Sequence, residues 1–177
     1  MANTYTLIEQ NVLTSNQASV TFSSIPATFT DLVIRASVRH DGTGGNVWFI
    51  GAQFNTLTTS IYSDTFMVTD ASSIIGTRTS NETPFGTHAL TMNQNNYTAN
   101  IFSNSEMYIP SYTSDKRKVF KTSLINSNYA QTFNYWGFGC GLVRTTEAIN
   151  QILLKPNGAV GNFVTGSSFY LYGISNA

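Results

Sequence analysis

Thr30-Asp31-Leu32-Val33-Ile34-Arg35-Ala36-Ser37-Val38-Arg39-His40 is the stretch that decides the fold. Leu32, Ile34, Ala36 and Val38 share one face of an extended chain, and Val33, Arg35, Ser37 and Arg39 share the other. A period of two marks a half-buried strand, because successive side chains leave a pleated backbone on opposite sides. The pattern predicts an apolar face against a core and both arginines outward. Asp41-Gly42-Thr43-Gly44-Gly45-Asn46 follows as a run of turn formers, and Val47-Trp48-Phe49-Ile50 resumes an apolar β pattern. Residues 30–54 therefore read as a β-hairpin.

Working outward, the chain offers further strand candidates at 4–9, 18–23, 98–109, 117–126 and 167–174. The last is apolar on both faces, which suits a strand covered on both sides. Residues 55–97 read as long loops with short strands such as 73–79. Residues 145–154 read as a strand closed by Pro156, with one helical turn as the alternative, since Ile149, Ile152 and Leu153 have helical spacing. Many short strands with turn signals between them predict an all-β fold: one antiparallel β-sandwich domain over 1–177, jelly-roll-like.

Tyr135-Trp136-Gly137-Phe138-Gly139-Cys140-Gly141-Leu142-Val143-Arg144 is the sharpest of the outlying segments. Trp136, Phe138, Cys140 and Leu142 fall on one face and read as core, with Cys140 as a small apolar filler. Gly137, Gly139 and Gly141 fall on the other face and bare its backbone. Something must lie close against them. Another strand, a loop or a neighbouring subunit covers them, the last making them interface candidates, or a large aromatic of the same sheet does.

Composition narrows the function classes. Of 177 residues only 10% are charged, and nine basic residues balance nine acidic ones. Ser, Thr and Asn supply roughly a third of the chain, well above ordinary usage. So neutral a surface has no electrostatic hold on nucleic acid or an anionic membrane. It is compatible with dense packing among neighbours. Cys140 is the single cysteine, so no internal disulfide forms. The N-terminal residues show no secretory pattern, and no apolar run approaches a membrane span.

Chemistry is sparse. His40 and His88 stand far apart and outside any metal-ligand spacing. No G-x-S-x-G elbow is present. The acids Glu9, Asp31, Asp41, Asp64, Asp70, Glu82, Glu106, Asp115 and Glu147 fall mostly at turns or on polar faces. The expectation is no enzyme, no metal and no cofactor. Asp115-Lys116-Arg117-Lys118 is the one charge cluster, and Lys116 and Arg117 are interface candidates beside the alternative of plain solvation. Trp48 and loop tyrosines such as Tyr62 are candidates for stacking on sugar rings.

Three blocks carry a resemblance. They are Tyr5-Thr6-Leu7-Ile8 with Ala18-Ser19-Val20-Thr21-Phe22-Ser23-Ser24-Ile25-Pro26-Ala27-Thr28-Phe29-Thr30-Asp31-Leu32, then Glu106-Met107-Tyr108-Ile109-Pro110-Ser111-Tyr112, then the run from Gly161-Asn162-Phe163 to Tyr170-Leu171-Tyr172-Gly173-Ile174. Together they resemble small virion structural proteins of tailed bacteriophages. The resemblance implies a β-sandwich virion component without catalytic residues. The expected role is a head decoration (cement) protein, homotrimeric, bound to the major capsid protein. The alternative is a tail-fibre or receptor-binding domain that contacts host surface glycans.

Overall fold

An apolar stripe on a strand is stable only if a second layer covers it. The computed structural model, which describes residues 4–42, 48–69, 73–127, 134–157 and 161–175, shows two antiparallel sheets doing this. The strands are β1 (Tyr5–Val12), β2 (Val20–Phe22), β3 (Asp31–Val38), β4 (Trp48–Phe54), β5 (Tyr62–Thr69), β6 (Ile74–Glu82), β7 (Leu90–Met92), β8 (Ser103–Ile109), β9 (Lys118–Ser127), β10 (Asn134–Val143), β11 (Ile152–Pro156) and β12 (Ser168–Ile174). A 3-10 turn at Pro84–Gly86 precedes β7.

The larger sheet runs β1-β12-β3-β8-β9-β10-β5-β6, and the smaller runs β2-β11-β4-β7. The pairs β1–β12, β2–β11, β3–β8 and β4–β7 are nested, as in a ribbon folded on itself and rolled. The pairs β12–β3 and β11–β4 then close the two sheets. This is jelly-roll connectivity. β9, β10, β5 and β6 extend one edge of the larger sheet beyond it.

The β3 stripe is as the alternation predicts. Leu32, Ile34, Ala36 and Val38 are buried in the core, together with Phe169 and Leu171 of β12 and Phe22, Ile50, Phe54 and Leu154 of the smaller sheet. The hairpin over 30–54 is not formed. β3 pairs with β12 and β8, and β4 with β11 and β7, so the chain crosses between sheets here. Residues 43–47, most of the expected turn, lie outside the described residues. Residues 55–97 also differ from expectation: β5 and β6 form a long antiparallel hairpin. The segment 145–154 enters a strand only at Ile152, and Pro156 ends it.

Arg39 does not point outward. It is buried, and its guanidinium donates to the carbonyls of Thr98, Ile101, Asn95 and Tyr97 at 2.8–3.2 Å. Arginine carries five N–H donors in a planar fork, and this loop offers the carbonyls that satisfy them.

β10 is inverted relative to expectation. Its glycines face the core side, and Trp136 and Phe138 face solvent. The reason is steric. A Cβ on Gly141 would sit 1.9 Å from Cζ of Phe120, and one on Gly137 would sit 2.5 Å from the Met67 carbonyl oxygen and 3.1 Å from Cζ of Phe66. Phe120 and Phe66 belong to β9 and β5, the strands that flank β10. Aromatics of the same sheet, not a neighbouring subunit, cover Gly137, Gly139 and Gly141, and the glycines are withdrawn as interface candidates. Phe120 cannot swing away freely, because it packs edge-on against Phe54 with centroids 6.0 Å apart.

Gly141→Ala is therefore expected to destabilise the fold by about 1–3 kcal/mol through overpacking. Gly76→Ala is the control, since a Cβ there meets nothing within 4 Å. Urea unfolding of both variants checks this. A Gly141→Ala midpoint equal to that of Gly76→Ala would contradict the steric account.

Candidate binding face

The inversion of β10 sets the character of the outer face of the larger sheet. Strand register lays its outward side chains in rows. One row runs Ser168, Ser37, Asn104, Ile125, Trp136, Thr69, Ile74 from β12 to β6. The next runs Tyr170, Arg35, Glu106, Ser123, Phe138, Met67, Gly76. Two zones result.

The first zone lies over β9, β10, β5 and β6. Ile74 is 73% exposed, Ile125 57%, Trp136 56% and Phe138 47%, with Met67 beside them. Trp136 and Phe138 stack with centroids 6.5 Å apart. Cys140 is on this face and exposed. Scattered exposed apolar residues are ordinary, but contiguous large ones mark a contact surface.

The second zone lies over β12, β3, β8 and β9. Here Tyr170 and Tyr172 stack with centroids 6.5 Å apart and planes 24° apart. Arg35 donates from Nε to Glu106 Oε2 at 3.0 Å. Short side chains between the tyrosines and Ile125 leave an open groove. The sequence had already placed Arg35 outward. The groove itself is a product of cross-strand register, which sets Tyr170 beside Arg35, Arg35 beside Glu106 and Glu106 beside Ser123 and leaves no local signal.

The remaining candidates fall elsewhere. Lys116 and Arg117 are exposed, and Lys116 pairs only with its neighbour Asp115 at 3.2 Å with both side chains at least 80% exposed. Such a pair contributes little. Lys118, in contrast, is buried, and its ammonium donates to the carbonyls of Ser114 and Lys116. Trp48 begins β4, and its side chain lies outside the described residues. Tyr62 is buried: its hydroxyl accepts from the Phe54 N–H and donates to the Leu57 carbonyl, so it offers no ring to a sugar.

The titratable groups with close partners are structural in geometry. Buried Asp64 accepts from the N–H of His88 at 2.6 Å, from its Nδ1 at 2.9 Å, and from the Thr79 hydroxyl. Burial pushes the Asp64 carboxyl up, but these hydrogen bonds outweigh it and hold the carboxyl below its ordinary value. The His88 ring stacks on Phe66 and meets Phe49 edge-on. The Thr79 hydroxyl donates to the carboxylate rather than to the imidazole, which is not the order of a nucleophile–base–acid relay. Among the described residues, no three His, Cys, Asp or Glu side chains gather as a metal site.

No family model and no curated protein matches this chain. A crystal structure of scytalido-glutamic peptidase with a transition state analog inhibitor is similar over 88% of this chain and 75% of that chain, at 14% identity and a TM-score of 0.26. So loose a likeness carries no argument.

His40, just past the end of β3, gives a pH test of the fold. It is fully buried, and its Nδ1 accepts from the Gly42 N–H at 3.0 Å. Burial pushes its pKa down to about 4, the Arg39 charge adds to this, and Asp41 opposes it. Below its ordinary value of 6.5 the unfolded chain takes up a proton that the folded chain refuses until about pH 4. Stability is expected to fall by about 3 kcal/mol across that window, at about 1.4 kcal/mol per pH unit. His40→Asn keeps an acceptor and removes the titration, so its stability should lie nearly flat between those pH values in urea unfolding. An unchanged slope in the variant would contradict the assignment.

Proposed function

We propose that the chain is a bacteriophage virion structural protein, a head decoration protein that binds and stabilises the capsid surface. One observation carries the reading: the contiguous exposed strip of Trp136, Phe138, Met67, Ile74 and Ile125. Exposed aromatics stacked side by side on a rigid sheet form an anchor of the kind that dominates protein interfaces. The low charge of the chain removes the repulsion that would keep closely packed copies apart. The sequence resemblance supplies the kind of neighbour, other virion subunits with the major capsid protein first among them, and a homotrimer as the assembled form. The virion is then its location, after assembly in the host cytoplasm. Jelly-roll connectivity is compatible with this reading but hosts many functions, so it adds no independent weight.

Co-sedimentation of the purified chain with capsids that lack it tests the proposal. The chain is expected to pellet with capsids. Trp136→Ser combined with Phe138→Thr should keep the unfolding midpoint and weaken capsid binding at least about tenfold, as expected for anchor residues. A chain that stays off capsids and labels the tail tip in micrographs would favour the tail-fibre alternative. Equal binding by the double variant would remove the strip from the interface.

A further inference from the structure

We infer that the groove across β12, β3, β8 and β9 is a binding site for a neutral oligosaccharide. Its volume is about 550 Å³. Small-ligand sites span roughly 300–1,000 Å³. The groove follows from residue size along the register: Ser37, Asn104 and Ser123 are short, and Tyr170 and Tyr172 stand on one side with Ile125 on the other.

The lining matches the two chemistries of a sugar ring. A pyranose presents an apolar face of C–H groups, and the half-exposed Tyr170 and Tyr172 rings that line the groove offer aromatic surface against which such a face packs. The edge of the ring carries hydroxyls, each of which donates and accepts. Arg35 spends one donor on Glu106 and keeps others, and Glu106 keeps its second oxygen as an acceptor. The ion pair sets a donor next to an acceptor on the groove surface, the arrangement that two adjacent hydroxyls require.

Charge selects among ligands. The Arg35–Glu106 pair cancels within the groove, and among the described residues no other charged side chain lines it. A phosphate, a nucleic acid or an acidic polysaccharide would find no net attraction there, whereas a neutral glycan has no charge to match. A proline-rich peptide could stack on tyrosines, but it would leave the floor hydroxyls and the free Glu106 oxygen without donors.

The site goes beyond the virion assignment, and either can fail alone: Trp136 governs one and Tyr170 the other. The test is an array of neutral tetrasaccharides of glucose, galactose, xylose, mannose and N-acetylglucosamine, with sulfated and uronic-acid counterparts and a proline-rich peptide, followed by calorimetric titration of any hit. Saturable binding of at least one neutral member is expected. Tyr170→Ala and Tyr172→Ala should each weaken it at least about tenfold, since stacked aromatics act as hot spots, and Tyr170→Phe should retain most of it. Trp136→Ser should leave it unchanged. No binding across the neutral panel, binding confined to acidic glycans or to the peptide, or a neutral hit indifferent to Tyr170→Ala would each overturn the inference.

Discussion

The rings of Phe66 and Phe120 fill the space under β10, and the exposed aromatic strip on its outer side depends on that. Only glycine fits at 137, 139 and 141 beneath them, while Tyr135 and Val143 at the two ends of the same face are buried and Trp136 and Phe138 take the outer face. Trp136 and Phe138 are thereby carried on a rigid backbone held by ladders on both sides. Polar side chains would serve that outer face if it met only water. That large apolar side chains stand there instead points to a role outside the chain's own core.

The topology divides the labour. Nested pairs of strands roll into the jelly roll, and the smaller sheet seals one side of its core. β9, β10, β5 and β6 extend the larger sheet beyond that roll. The aromatic strip lies over the extension. The groove lies mostly over the rolled strands β12, β3 and β8 and meets the strip at Ile125. One continuous sheet thus presents an apolar contact zone and a polar, aromatic-walled groove side by side.

Much of the fold was legible because alternation is local. The β3 stripe follows from its period of two, and strands form at 118–127 and 168–174 as expected, although the last strand, apolar on both faces, is only half covered at Tyr170 and Tyr172. Partner choice was not legible. The expected hairpin over 30–54 failed because β3 and β4 take partners from distant parts of the chain. β5 was missed because Ser63, Asp64 and Thr65 look like loop, whereas Asp64 is buried with His88 and Thr79 as its donors. Alternation also assigns two faces without saying which is inside. In β10 the bulkier face reads as core, and the structure reverses it because Phe66 and Phe120, one of them some seventy positions away, occupy the inner side. Arg39 was misplaced for a similar reason, since the carbonyls that bind it come from 95–101.

A cryo-EM map of intact particles that carry this chain tests the central claim most directly. Expected is density for the sandwich on the head, with the outer face of β10 and β5 pressed against a neighbouring subunit and Trp136 buried in the contact. Density at the tail, or on the head with Trp136 and Phe138 open to solvent, would contradict it.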